Sequence, residues 1–337
     1  MMGLGGGPRQ GQKGSHACGA VMENVIRIGI SSCLLGNPVR YNGGHQHDRF
    51  ITESLGHFFE FVPVCPEVEC GLGVPRESIR LVGDPRSPRL VTTRTGVDHT
   101  ERMLAWAGKR VRELEQEGLQ GFIFKSKSPS SGMERVKVYE DGKRVTKSGV
   151  GMFARAFMDH FPLLPVEDEG RLHDMPLREN FVERIFVCGR WRDLVAGNRT
   201  RGGLVDFHTR HKLLIMSHSE KHYRALGVLV AHAKERSVDA LFEEYEKMLM
   251  EALRLKATVN KNCNVLLHML GYFKKTLSGD EKQEVLEVVD QYKSGYVPLI
   301  VPVTLISHFV RKYAVDYLAL QYYLRPHPIE LKLRNHA

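Results

Sequence analysis

Val25-Ile26-Arg27-Ile28-Gly29-Ile30-Ser31-Ser32-Cys33 is a β-branched run that stops at a cysteine. Valine and isoleucine at this density suit a pleated, half-buried strand. Two further runs behave alike. Phe59-Glu60-Phe61-Val62-Pro63-Val64 leads into Cys65, and Gly121-Phe122-Ile123-Phe124 leads through Lys125-Ser126-Lys127-Ser128-Pro129-Ser130 into Ser131. Between the second and third runs, His99 to Gly118 places Met103, Leu104, Trp106, Ala107, Val111 and Leu114 at helical spacing, with Gly118 as a stop. Short strands alternating with helices predict a parallel sheet in three layers. The carboxyl ends of such strands share one edge, where open α/β sheets take ligands. Two cysteines and a serine far apart in sequence are therefore expected to meet at one site.

Composition bounds what that site serves. The chain of 337 residues is long enough for two cores. No apolar run approaches the ~18 residues of a membrane span, so no membrane partner is expected. Residues 1–22 are rich in glycine and polar residues, lack a secretory h-region and read as a disordered tail, with Met22 as an alternative start. Six cysteines without regular spacing do not form a disulfide framework, which points to a reducing cytoplasm. A net charge of +9 favours anionic partners such as a nucleotide or RNA.

The character of the chain changes in its second half. Three prolines and several acidic residues between Pro162 and Pro176 suit a linker. Arg178 to Arg190 reads equally as strand or helix. Helices are expected over Leu204 to Leu226, Val238 to Leu255, Thr258 to Lys275, Gly279 to Tyr292 and Pro302 to Tyr323, giving an all-α second domain. The expected division is tail 1–22, α/β domain 23–165, linker 166–180 and helical domain 181–337.

Three Gly/Pro-rich loops carry the candidate chemistry. The first runs from Cys33 through Arg40, Tyr41 and Gly44. The second is Cys65-Pro66-Glu67-Val68-Glu69-Cys70-Gly71, continuing to Arg76. The third is Ser128-Pro129-Ser130-Ser131-Gly132. In order and spacing these loops resemble those of the TudS-type thiouracil desulfidase family, over roughly Val25 to Asp159. The resemblance implies a Rossmann-like α/β fold holding a [4Fe-4S] cluster by three cysteines, with the fourth iron free to take sulfur from a thiolated nucleobase. Cys33 and Cys65 match two of those ligands. The third falls on Ser131, where the family loop has cysteine. Thiolates are the usual ligands of such clusters. Three readings of position 131 compete: a changed residue in this chain, Cys70 as substitute ligand, or loss of the cluster.

The same resemblance implies that Glu67 moves protons and that Ser128 or Ser130 is catalytic or orients the base. Arg40, Tyr41 and Arg76 are candidates for binding the substrate, a thiolated pyrimidine that is free or nucleotide-borne. A sulfur carrier, an RNA-modifying enzyme and a cluster-less binding module stay open as alternatives. In the second half, His208, His211, His218 and His222 are expected on one helix stripe. The i, i+4 pair His218 and His222 could bind one metal ion, but further nearby acidic or cysteine ligands are lacking, and packing or an anion-binding face is preferred. Phe207-His208-Thr209-Arg210-His211-Lys212, Asn264 to His268 and Gly271 to Lys274 resemble a YbgA-like helical domain over about Val205 to Lys332. That resemblance adds architecture and no chemistry.

Overall fold

The computed structural model describes residues 25–140 and 144–336; the tail expected over residues 1–22 lies outside them. The three runs that end in Cys33, Cys65 and the serine loop form β1 (Ile26–Ser31), β2 (Phe59–Val64) and β5 (Gly121–Phe124). With β8 (Val166–Asp168) they make a wholly parallel sheet in the order β2-β1-β5-β8. Gly29 in the middle of β1 answers a packing need. A Cβ there would stand 2.2 Å from the Phe122 ring, so only glycine lets that ring lie against the strand.

A second sheet, in the order β4-β3-β6-β7, is assembled from β3 (Ile79–Val82), β4 (Arg89–Thr92), β6 (Val136–Glu140) and β7 (Arg144–Gly149). Its strands are short and mostly antiparallel. Helices α1 (Pro66–Glu69), α2 (Thr100–Gln116) and α3 (Met152–His160) complete the α/β region. The expected helix over 99–118 is α2, which buries Met103, Ala107, Val111 and Leu114 along one face. Phe122, Phe124, Phe153 and Phe157 form an aromatic cluster between sheet and helix, with ring centroids 4.3–6.3 Å apart.

The segment expected as a linker is part of the sheet. Residues 166–168 pair with β5, and α4 (Met175–Gly197) starts on Asp174, whose carboxylate accepts from the Leu177 N–H. Pro176 sits in the first turn of α4, where its missing N–H costs nothing. The proline signal therefore marks a helix start rather than a linker. On one side of α4, Phe181, Val182, Ile185 and Phe186 pack against Ile28, Ile30 and Ile123 of the sheet. On the other, Val187, Cys188 and Trp191 join the core of the helices that follow. A helix buried on both sides has no polar face, which is why its sequence fits strand and helix alike.

Beyond α4 the chain is helical: α5 (Arg201–His218), α6 (Glu220–Ala231), α7 (Val238–Arg254), α8 (Val259–Leu270), α9 (Gly279–Lys293), α10 (Ile300–Lys312) and α11 (Asp316–Ala319). Two expected helices are each split. Ser219 is extended and caps α6 through the His222 N–H, dividing 204–226. Tyr313 and Ala314 close α10 and divide 302–323, Ala314 with φ +48°.

The histidine stripe is divided with them. His208 meets the Tyr245 hydroxyl, and His211 meets the Phe207 carbonyl and Arg190. His218 is paired with Glu183 and the Leu255 carbonyl, and His222 with Ser219. Each ring has its own protein partner. Among the described residues no group of three or more His, Cys, Asp or Glu side chains is placed to hold a metal ion.

The chain end returns to α4. Arg334 is buried and reaches Glu179 at 3.1 Å, Glu183 at 3.3 Å and the Tyr323 carbonyl at 2.6 Å. Leu333 joins the sheet-facing core.

Candidate functional site

The carboxyl edge of the parallel sheet opens into a cleft of about 370 Å³. Cys33, Arg40, Tyr41, Cys65, Glu67, Arg76, Lys125, Ser128 and Ser131 are on its wall. Residues up to 98 positions apart in sequence therefore share one cavity because three strands end there. Cys33 is the second residue of a short 3-10 turn after β1, Ser32–Leu35, and Cys65 precedes α1, with Pro66 fixing its first residue.

The serine loop after β5 is held from below by α3. The Met152 N–H donates to the Pro129 carbonyl, and the Phe153 and Ala154 N–H groups both donate to the Ser130 carbonyl. These are donors that a helix start leaves without intrahelical partners. Gly151 permits the approach, since a Cβ there would lie 2.5 Å from the Ser130 carbonyl group.

A hydrogen-bonded chain crosses the cleft floor. Ser130 Oγ, fully buried, donates to Glu67 Oε1 at 2.6 Å. Ser128 Oγ lies 3.0 Å from Ser130 Oγ and accepts from the Ser131 N–H at 3.1 Å. The other Glu67 oxygen accepts from Cys65 Sγ at 3.7 Å. Glu67 thus stands between a thiol and a hydroxyl. Behind Cys65, the Glu69 carboxylate accepts from the Cys65 N–H at 2.7 Å and pairs with Arg110 of α2 at 3.1 Å.

Burial and the neighbouring Glu67 push the Cys33 thiol up to about 11 and the Cys65 thiol up to about 12. Arg40 and Lys125 near Cys33, and Arg76 near Cys65, do not outweigh this. Both are neutral thiols at pH 7 unless a cation stands in the cleft, and a coordinated metal deprotonates a thiol outright.

Cys70 is not on the cleft wall. Its Sγ approaches the Glu67 carbonyl at 3.3 Å, and it packs among Leu72, Leu81, Leu90, Met103 and Val138. It cannot replace a ligand at position 131 without leaving that core. The residues that could hold an iron–sulfur centre on this wall are thus Cys33 and Cys65, with the Ser131 hydroxyl on the same wall and no third thiol among the lining residues.

Arg40 reaches Gln46 at 3.0 Å and lies 5.9 Å from the Tyr41 ring centre. Arg76 bonds the Val39 and Gly73 carbonyls through Nη1. Among the described residues neither arginine has a carboxylate as a hydrogen-bonded partner, and both are on the cleft wall. Glu69, Lys125 and Glu169 are the contributors that sequence reasoning missed. Their role follows from which groups come close in the folded chain, and the acidic run Glu167-Asp168-Glu169 read only as part of a linker.

A parallel α/β sheet with a thiol–carboxylate–serine cleft at its carboxyl edge, joined to a helical region, defines the class. Residues 28–169 match the family described as 2-thiouracil desulfurase, and residues 212–328 match a protein of unknown function, DUF1722. The chain is 32% identical over 153 residues to the uncharacterized protein YbgA of Escherichia coli (strain K12), covering 45% of this chain and 90% of that one. It is 32% identical over 129 residues to the uncharacterized protein YbbK of Bacillus subtilis (strain 168), covering 36% and 83%. Among solved structures, a [4Fe-4S]-dependent thiouracil desulfidase, TudS, is 28% identical with a TM-score of 0.38, covering 46% of this chain and 97% of that one. The chain belongs to the 2-thiouracil desulfurase family, fused to a YbgA-like DUF1722 region.

Proposed function

We propose that the protein removes sulfur from a thiolated pyrimidine, free or nucleotide-borne, in an iron–sulfur-dependent reaction. Family membership supports this reading. The single observation that carries it is the Glu67 carboxylate, held between Cys65 Sγ and Ser130 Oγ inside the cleft. The net reaction is hydrolytic: water adds to the thiocarbonyl carbon, the C–S bond breaks, a carbonyl forms and the sulfur leaves as hydrosulfide. No electrons are gained or lost.

An iron–sulfur centre held by Cys33 and Cys65 would supply a Lewis acid for the substrate's sulfur. Glu67 takes the proton of the attacking water and returns it to the leaving group, work for a positioned carboxylate. The Ser130 hydrogen bond holds Glu67 Oε1 and so keeps Oε2 beside Cys65. Ser128 fixes the Ser130 hydroxyl in turn. Arg40 and Arg76 offer donors to a base carbonyl or a phosphate. The half-exposed Tyr41 ring offers a face for a pyrimidine.

The test is hydrosulfide release from 2-thiouracil by the full chain after anaerobic iron and sulfide loading. Release above the buffer rate supports the reading, and a loaded protein that leaves the thiocarbonyl absorbance unchanged opposes it. Ser131 favours a second reading, a cluster-less module that binds the pyrimidine without converting it. Binding of 2-thiouracil without iron uptake or sulfide release would select it.

A further inference from the structure

The serine loop is gripped at both ends by one short segment of the chain, residues 167–171. At the entry, the Glu169 carboxylate accepts from the Ser126 N–H at 2.6 Å and the Ser126 hydroxyl at 2.8 Å, and it pairs with the Lys125 ammonium. At the exit, Arg171 Nη1 donates to Glu134 Oε1 at 3.2 Å, while its Nε and Nη2 hold Glu167 at 2.6 and 3.4 Å. The Arg171 N–H donates to Asp168 Oδ1 at 2.9 Å and closes the turn between the two grips.

These acids do not form a solvated surface patch. Glu167, Asp168 and Glu169 are all buried. A buried carboxylate persists only where charged partners and hydrogen bonds offset its desolvation. For Glu169 those partners are Lys125 and Ser126, the two residues that lead from β5 into the serine loop. For Glu167 the partner is the arginine that holds the loop's far end.

We propose that Glu169 and Arg171 are positioning residues that set the serine loop so that Ser130 meets Glu67. The α3 amides fix the height of the loop, and the two grips fix its ends. Ser130 to Glu67 spans 2.6 Å, and a hydrogen bond is lost by about 3.5 Å, so about 1 Å of slack breaks it. Misplacement of that size costs about 100-fold in rate. Arg171 also stands four residues before Met175, where α4 begins. The helical region is thereby tied to the serine loop through a hydrogen-bonded turn. The rate arm of the test rests on the desulfidase reading; the loop arm does not.

The full chain is compared with Glu169→Ala, Glu169→Gln, Arg171→Ala and Arg171→Lys. Two measurements are made: amide hydrogen exchange over residues 126–134 against β1 and β2, and kcat and KM for 2-thiouracil. The alanine variants should speed exchange in 126–134 at least about 10-fold while β1 and β2 hold. They should lower kcat by about 10–100-fold with KM little changed. Glu169→Gln keeps an acceptor for the Ser126 N–H, and Arg171→Lys keeps the charge, so both should recover part of kcat. Exchange in 126–134 that stays at the wild-type rate in both alanine variants would overturn the proposal. So would exchange that rises equally across β1 and β2, which marks general destabilisation. A wild-type chain that releases no sulfide defeats the desulfidase reading alone, because the exchange comparison still decides the grip.

Discussion

Ser130 Oγ donates to Glu67 Oε1 at 2.6 Å, joining the loop after β5 to the loop after β2. The bond ties together two loops that the parallel strands bring to one edge. Glu67→Gln keeps the shape and removes the proposed base. Turnover of 2-thiouracil should fall by about 100-fold or more, the usual size of a general acid–base contribution. Iron uptake should be unchanged, since Cys33 and Cys65 are untouched. Kinetics and iron analysis on the same preparation check both halves. Loss of iron would make Glu67 a structural partner of Cys65 instead.

In the proposed ligand set, position 131 is where a third sulfur would stand. Ser131→Cys places a third sulfur on the same wall as Cys33 and Cys65. Iron and sulfide content after anaerobic reconstitution should rise, with a stronger visible absorption band. Cys70→Ala should leave both unchanged, because Cys70 packs with Leu81 and Met103 outside the cleft. Equal iron in the serine and cysteine forms would remove position 131 from the ligand set.

Much of this arrangement was legible in the sequence, for a physical reason. Runs such as Val25 to Ile30 declare buried parallel strands, and a cysteine at a strand end lies at the ligand edge by topology alone. The α4 helix was not legible, because Phe181, Ile185 and Trp191 bury it on two sides and erase its periodicity. β8 was hidden by Pro162, Pro165 and the acids beside them, which resemble a linker until Lys125 and Arg171 are seen against them. The break at Ser219 was missed because apolar spacing continues across it from α5 into α6. Glu169 acts on the Ser126 N–H, 43 residues away in the chain, and no local pattern reports that.

The two halves share their packing, so they should not separate cleanly. A chain ending at Glu169 uncovers Ile28, Ile30 and Ile123, which α4 covers in the full chain. Each buried isoleucine exposed costs about 1.5–3 kcal/mol. The shortened chain is expected to lose its cooperative thermal transition, and the full chain to unfold in one. Calorimetry of both checks this, and a sharp transition of the shortened chain near that of the full chain would show that α4 is dispensable to the sheet.

Glu183 carries a pH dependence of stability. Burial alone would raise its carboxyl, but His218 and Arg334 outweigh it and hold it at about 2, against an ordinary value of 4.5. A group whose folded value is depressed stabilises above its unfolded value and loses that contribution as pH falls toward the folded one. The contribution should thus be complete at pH 7 and fade between about pH 4.5 and 2. Glu183→Gln should destabilise the protein at pH 7 by about 3–5 kcal/mol, as breaking a buried pair does. It should also flatten the acid limb of the stability curve. Denaturant unfolding from pH 7 to 2 reads both, and parallel acid limbs in the two proteins would place the sensitivity elsewhere.

The central claim is that the cleft of Cys33, Cys65 and Glu67 releases sulfur from a thiolated pyrimidine. Its most direct measurement follows hydrosulfide formed from 2-thiouracil, mole for mole with uracil, by the anaerobically loaded chain and by Cys65→Ala. The expected result is equal uracil and hydrosulfide from the loaded chain and neither from Cys65→Ala. Equal turnover in the two proteins, or no uracil from a chain that holds its iron, would contradict the claim.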